Sequence, residues 1–223
     1  MPEPLADEHR SGLARVLIID DHRLFGESVA EALAGEADIS VVGVVESAER
    51  GIQEVTALRP DIALVDYRLP GVSGTHLIDT IHSISPHTAV IVITAAAEED
   101  VLLAAVQAGC AGFITKTAGL EEMRTAVRQV ANGEAALDAR ALGRLLARLH
   151  RRSQSRIALT ARERQILAGI CAGRTNAEIA RQLDLSVNTI RNQVQGVLFK
   201  LGAHSKLQAA AIAVREGLAE PTG

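Results

Sequence analysis

Tryptophan is absent from the chain, and its only aromatics are Phe25, Tyr67, Phe113 and Phe199. A platform for single-stranded nucleic acid needs several aromatic faces, so that class of binder is excluded. Cysteine is as scarce: Cys110 and Cys171 stand far apart, without the paired spacing of a metal or redox motif, and both read as buried structural thiols. Long apolar runs are missing. Stretches such as 89–97 fall well short of the roughly 18 residues a membrane span needs. The polar, acidic N-terminus also lacks the positive-then-apolar pattern of a secretory signal. The expectation is a cytoplasmic chain with no membrane contact. No glycine-rich dinucleotide loop, Walker sequence or serine nucleophile elbow occurs, which disfavours cofactor-dependent redox chemistry and serine catalysis.

What is present is ordinary globular material: 48% hydrophobic and 22% charged residues over 223 positions, enough for two domains. The net charge of −4 hides an asymmetry. Up to Glu134 there are 9 basic and 21 acidic residues, a balance of −12; after it there are 14 and 6, a balance of +8. Clustered Arg in the second half is the electrostatic footprint of a polyanion partner, while the first half is acidic.

In that first half, β-branched runs at 14–20, 39–45, 61–67, 88–94 and 111–115 alternate with helix-period segments. Continuous Val/Ile/Leu runs are buried on both faces, so the pattern predicts an α/β doubly wound, five-stranded parallel sheet over 13–133. A basic amphipathic linker helix is predicted over 134–156, where Leu142, Leu145, Leu146 and Leu149 recur among arginines. From 157 to 219 no strand-like run appears. Thr160 with Glu163 forms a capping box, Ser186 and Ser205 are further N-caps, and Leu183-Asp184-Leu185 joins two helices with helix-turn-helix proportions.

Function in doubly wound sheets sits at the carboxyl ends of the strands, where strand order reverses. Here those ends carry Asp20-Asp21, Asp66, Thr94 and Lys116. In the order 2-1-3-4-5 the first and third strands are neighbours, which gathers three carboxylates that would repel unless a hard cation such as Mg²⁺ joined them. Of 23 cations only Lys116, Lys200 and Lys206 are lysines, and a compact ammonium at 116 suits a phosphate oxygen or a carboxylate. Asp66, alone on its strand, is the candidate nucleophile toward phosphorus, with Asp20 and Asp21 better placed for metal. His22 reads as a helix-start residue.

The segments IIDDH (18–22), VDYRLPGVSG (65–74), ITA (93–95) and GFITK (112–116) resemble, in order, the receiver domain of two-component response regulators. The resemblance implies that Asp66 accepts a phosphoryl group from a sensor histidine kinase. It further implies that Asp21, Asp66 and the Arg68 backbone carbonyl bind Mg²⁺, with Asp20 acting through water, and that Lys116 binds the phosphoryl group. Thr94 and Phe113 would be the switch pair, Phe113 standing where the family more usually has Tyr. Residues 159–217, with LTARERQIL, TNAEIARQLDLS and NTIRNQV in register, resemble the LuxR-type helix-turn-helix, so nearly the whole chain is similar to a NarL/FixJ-type regulator.

On the recognition helix Asn188, Arg191, Asn192 and Gln195 are spaced to face a DNA major groove, Arg191 and Asn192 being the strongest candidates for base contacts. Thr175, Thr189 and Lys200 suit phosphates. The last helix, with Leu207, Ala210, Ala211 and Val214, resembles the family's dimerisation helix, and it could equally close the core. The expected function is a transcription factor, not an enzyme: the domains mask each other at rest, and phospho-Asp66 frees the recognition helix for dimeric binding to promoter DNA. The alternative is a phosphorylation-independent DNA-binding regulator whose receiver is a dimerisation or ligand-sensing module. An Mg²⁺-dependent phosphatase fits less well, since the DxD nucleophile motif is missing and the helical domain would go unexplained.

Overall fold

A computed structural model describes residues 13–96, 98–137, Leu142, Leu145 and 159–219. The N-terminal domain runs β1 (Ala14–Ile19), α1 (Arg23–Ala34), β2 (Ile39–Val45), α2 (Ala48–Leu58), β3 (Ile62–Asp66), α3 (Gly74–Ile84), β4 (Ala89–Thr94), α4 (Glu99–Gln107), β5 (Gly112–Thr115) and α5 (Leu120–Ala131). All pairings are parallel, in the order β2-β1-β3-β4-β5. This is the doubly wound sheet anticipated from the strand–helix alternation. Because β1 lies beside β3, with Ile19 opposite Val65, residues 20 and 66 emerge together at the carboxyl edge.

The unbroken Val/Ile runs follow from burial on both sides. Leu17, Ile19, Ala63, Val65, Val90 and Val92 belong to a core with α2, α3 and α4, while Val16, Ile18, Ile62, Leu64, Ile91 and Ile93 join Val29 and Leu33 of α1 and Met123 and Val127 of α5. Neighbouring residues of a strand therefore serve opposite cores.

Gly74 opens α3, and the loop from Asp66 folds back so closely there that a Cβ at 74 would lie 2.5 Å from the Tyr67 ring and 2.7 Å from its carbonyl oxygen. A backbone oxygen has little freedom to retreat. Gly74→Ala is expected to cost about 1–3 kcal/mol in urea unfolding through overpacking, and an unchanged midpoint would refute the close approach.

The C-terminal domain consists of α6 (Ala161–Cys171), α7 (Asn176–Leu183), α8 (Val187–Leu201) and α9 (Lys206–Arg215). Its starts are written locally. Thr160–Glu163 and Thr175–Glu178 both form reciprocal capping boxes, and Ser186 and Ser205 accept from the backbone three residues on. Asp184 closes α7 in the left-handed region (φ 52°), where Asp is among the few tolerated side chains. Ile166, Ile170, Ile179, Ile190, Val194, Val197, Leu207 and Val214 fill the interior. Of the linker helix expected over 134–156, residues 134–137 and the buried Leu142 and Leu145 are described; the rest lies outside the described residues.

The two domains are in contact. Gln208 of α9 donates to the Gln107 carbonyl at the end of α4 (2.8 Å), and Ser205 donates to the Cys110 carbonyl (2.7 Å). Lys206 pairs with Glu134 (2.6 Å), whose other oxygen accepts from the Asn176 amide (2.8 Å). Among the described residues no helix is long and apolar enough to cross a membrane.

Candidate functional site

The carboxyl edge of the sheet carries the acidic site. Asp20, 1% exposed, accepts the His22 amide (2.8 Å), and Asp66, 3% exposed, accepts the Arg68 amide (2.9 Å). Each carboxylate is thus held by the backbone two residues later, at the point where its strand turns into a loop. Lys116 reaches both from the far side of β4. Its amide donates to the Thr94 carbonyl (2.7 Å), and its Nζ lies 2.7 Å from Asp66 Oδ2 and 2.8 Å from Asp20 Oδ2, 4.9 Å from the centre of the Phe25 ring. Burial alone would lower the Lys116 pKa, but hydrogen bonds and charge from Asp20 and Asp66 outweigh it, and the pKa is raised. The ammonium is therefore a fixed positive charge at any neutral pH.

Asp20, Asp21, His22 and Asp66 offer ligand atoms that all lie within 4.8 Å of one another. Three carboxylates face one ammonium, leaving the set short of positive charge, and carboxylate oxygens are the donors a hard divalent cation takes. The residues present fit Mg²⁺. His22 belongs to this cluster, where sequence reading saw only a helix start. It does precede α1 as its N-cap residue, yet its Nδ1 sits 3.0 Å from Asp21 and 3.3 Å from Lys116 Nζ. Its adjacency to Asp20-Asp21 was the available signal.

Thr94 and Phe113 occupy neighbouring strands beside this site. Thr94 is buried and donates to the Ala96 carbonyl (3.2 Å); Phe113, 9% exposed, is packed inward. The Arg68 side chain turns outward to Glu98 (2.6 Å), both more than half exposed, a pairing worth little.

In the C-terminal domain Asn188, Asn192 and Gln195 are exposed at helical spacing along α8, with Arg191 half-buried beside them. Among the described residues the N-terminal domain meets α9 and its preceding loop and the start of α7, and Asn188, Asn192 and Gln195 stay exposed; the masking expected from the sequence falls on the last helix instead. Thr175 caps α7 and hydrogen-bonds Glu178 (2.9 Å), Thr189 bonds Ser186 (2.8 Å), and Lys200 pairs with Glu163 (2.8 Å). Phosphate contact by any of the three therefore competes with a bond already made. Phe199, counted in the sequence only as one of few aromatics, is 88% exposed at the end of the same α8 face.

Comparison with known proteins covers both halves. Residues 16–128 match the response regulator receiver domain, and residues 157–213 match the bacterial regulatory proteins of the luxR family. The chain is 30% identical to the transcriptional regulatory protein LiaR of Bacillus subtilis over 92% of its length and 99% of the relative's. It is 31% identical to the DNA-binding transcriptional activator DevR/DosR of Mycobacterium tuberculosis, over 95% and 99%. Among solved structures, the signal receiver domain of the response regulator NarL from Mycobacterium tuberculosis shares 35% identity with a TM-score of 0.53, covering 55% of this chain and 98% of that one.

Proposed function

The chain belongs to the response-regulator transcription factors that join a receiver domain to a LuxR-family DNA-binding domain, and from that membership we propose that Asp66 is its phosphoacceptor. The observation that carries this is a single geometry: Asp66, nearly buried at the β1/β3 edge, holds one carboxylate oxygen 2.7 Å from the only ammonium in the site. The Asp66 oxygen attacks the phosphorus of a phosphohistidine on a sensor kinase, the P–N bond breaks, and the histidine leaves with the electron pair. Lys116 then balances charge on the transferred group. Receiver domains bind Mg²⁺ in general; here Asp21, Asp66 and the Arg68 carbonyl would hold it, with Asp20 acting through water. When bound, the ion neutralises charge between the carboxylate and the incoming phosphoryl oxygens.

Thr94 follows the phosphoryl group and Phe113 responds in the space beside it, a change passed to the α4 end of the sheet where α9 is docked. Since the α8 face is already open, what phosphorylation releases is α9, the surface through which two copies meet on promoter DNA. The reaction is performed on the chain itself and turns over no external substrate. The test is DNA retardation with and without a phosphodonor: tighter, dimeric complexes are expected after treatment. Equal affinity in both samples would favour the alternative, a regulator that binds DNA without phosphorylation, for which the open α8 face is the supporting observation.

On α8, Arg191→Ala is expected to weaken the specific complex by about 1–3 kcal/mol and to relax base preference at one position. Competition with random duplex measures this, and an equal loss on both DNAs would assign Arg191 to the backbone.

A further inference from the structure

The contact between the domains contains a pair of histidines that nothing above uses. His82, in the last turn of α3, is 5% exposed, and neither of its ring nitrogens has a hydrogen-bond partner. His204, in the loop before α9, lies flat upon it, ring centres 4.4 Å apart and planes within 8°. Gly109, after α4, makes room for this: its φ is +104°, and a Cβ there would lie 3.0 Å from His82 Nε2. Gln208 and Ser205 tie the flanks of the stack to the Gln107 and Cys110 carbonyls.

We propose that the stacked His82–His204 pair is a proton-operated latch: a proton taken up by the pair undocks the DNA-binding domain without any phosphoryl group on Asp66. The proposal rests on the reading that this contact restrains the regulator. Two neutral imidazoles stack without penalty, whereas a charged His82 would sit buried beneath the second ring with no fuller acceptor than the Gly109 backbone.

The surrounding groups do not offset that charge. On α3 itself Asp79, one turn earlier, is exposed. After α4, the Cys110 thiol is pushed up by burial and stays neutral. From α9 comes Lys206, already paired with Glu134, and Arg215, paired with Glu216. The helix dipole of α3 favours a cation at its C-terminus, yet burial, together with His204, lowers the His82 pKa from 6.5 to about 4, with the Gly109 backbone opposing only in part. The sign follows. A histidine depressed in the docked state favours docking above its ordinary value and opposes it increasingly as pH falls below.

The test uses the full chain with dyes on Gln53→Cys and Arg181→Cys, both exposed, reading the open-to-closed ratio by energy transfer. From about pH 7.5 to about pH 5.5 the ratio is expected to rise roughly tenfold, in the wild type and in Asp66→Asn alike. His82→Phe, which keeps the ring without the proton site, should show a flat ratio; His82→Gln serves the same purpose should the phenyl ring disturb folding. A wild-type ratio that does not move, or the same rise in both His82 variants, overturns the latch. Opening by phosphodonor near neutral pH reports separately on Asp66. Acid opening without phosphodonor opening sustains the latch and sinks the phosphorylation reading; the reverse sinks the latch alone.

Discussion

Asp66→Asn is expected to take up no phosphoryl group from acetyl phosphate and Mg²⁺, and to show none of the gain in DNA affinity that the wild type acquires. The substitution is nearly isosteric. The Asn oxygen can still accept the Arg68 amide that now binds Asp66 Oδ1 at 2.9 Å, so the loop keeps its anchor. What disappears is the nucleophile: an amide oxygen lacks the charge and basicity to displace histidine or acetate from phosphorus. Lys116 retains Asp20 as partner and one of three clustered negative charges is gone, which offsets the Asn amide nitrogen that replaces Oδ2 and cannot accept from Lys116 Nζ, so the variant should still fold. Intact-protein mass spectrometry reads the first effect, and DNA retardation on the same samples reads the second. A variant that still gains one phosphoryl mass would move the acceptor elsewhere, with the partly exposed Asp21 the next carboxylate to test.

The acidic site was legible because each member stands at a strand end, and strand ends follow from the period of the sequence. Asp20, Asp66, Thr94 and Lys116 need only the strand order to become neighbours. The fold was legible for the same reason, since two-sided burial leaves unbroken Val/Ile runs. The capping role of Thr175 went unread, since Thr175 was assigned to a phosphate, although Thr175–Glu178 repeats the spacing of Thr160–Glu163. The docking of α9 was not legible. His82 meets His204, and Glu134 meets Lys206, across domains whose relative placement leaves no periodic trace in either partner. A buried lysine and a stacked histidine look, in sequence, like ordinary surface residues. The outward polar face of α8 was readable from its helical spacing; that it stays exposed while α9 is docked was not.

Lys116→Met is expected to lower unfolding free energy by about 3 kcal/mol in metal-free buffer, the scale for removing one partner of a buried ion pair. The side chain is 15% exposed and its partners Asp20 and Asp66 1% and 4%, so solvent does little to screen what is lost. Methionine fills the volume and leaves the Phe25 contact apolar, but two carboxylates then face each other with no cation between them. The wild-type advantage should be constant across the neutral range. A lysine whose pKa is raised by its partners keeps its full contribution below its ordinary 10.5, and loses it only as pH climbs through the raised value. Mg²⁺ should return part of the lost stability in the variant, because the divalent ion supplies the charge that the ammonium supplied. Phosphoryl uptake should not recover with it. In the proposed role Lys116 also meets charge that develops on the transferred oxygens, and losing one such preorganised group costs on the order of 10²-fold in rate. Urea midpoints with and without Mg²⁺, set beside the rate of phosphoryl uptake, separate the two roles. If Mg²⁺ restored both stability and rate, Lys116 would be a stabilising cation alone, with no part in holding the phosphoryl group.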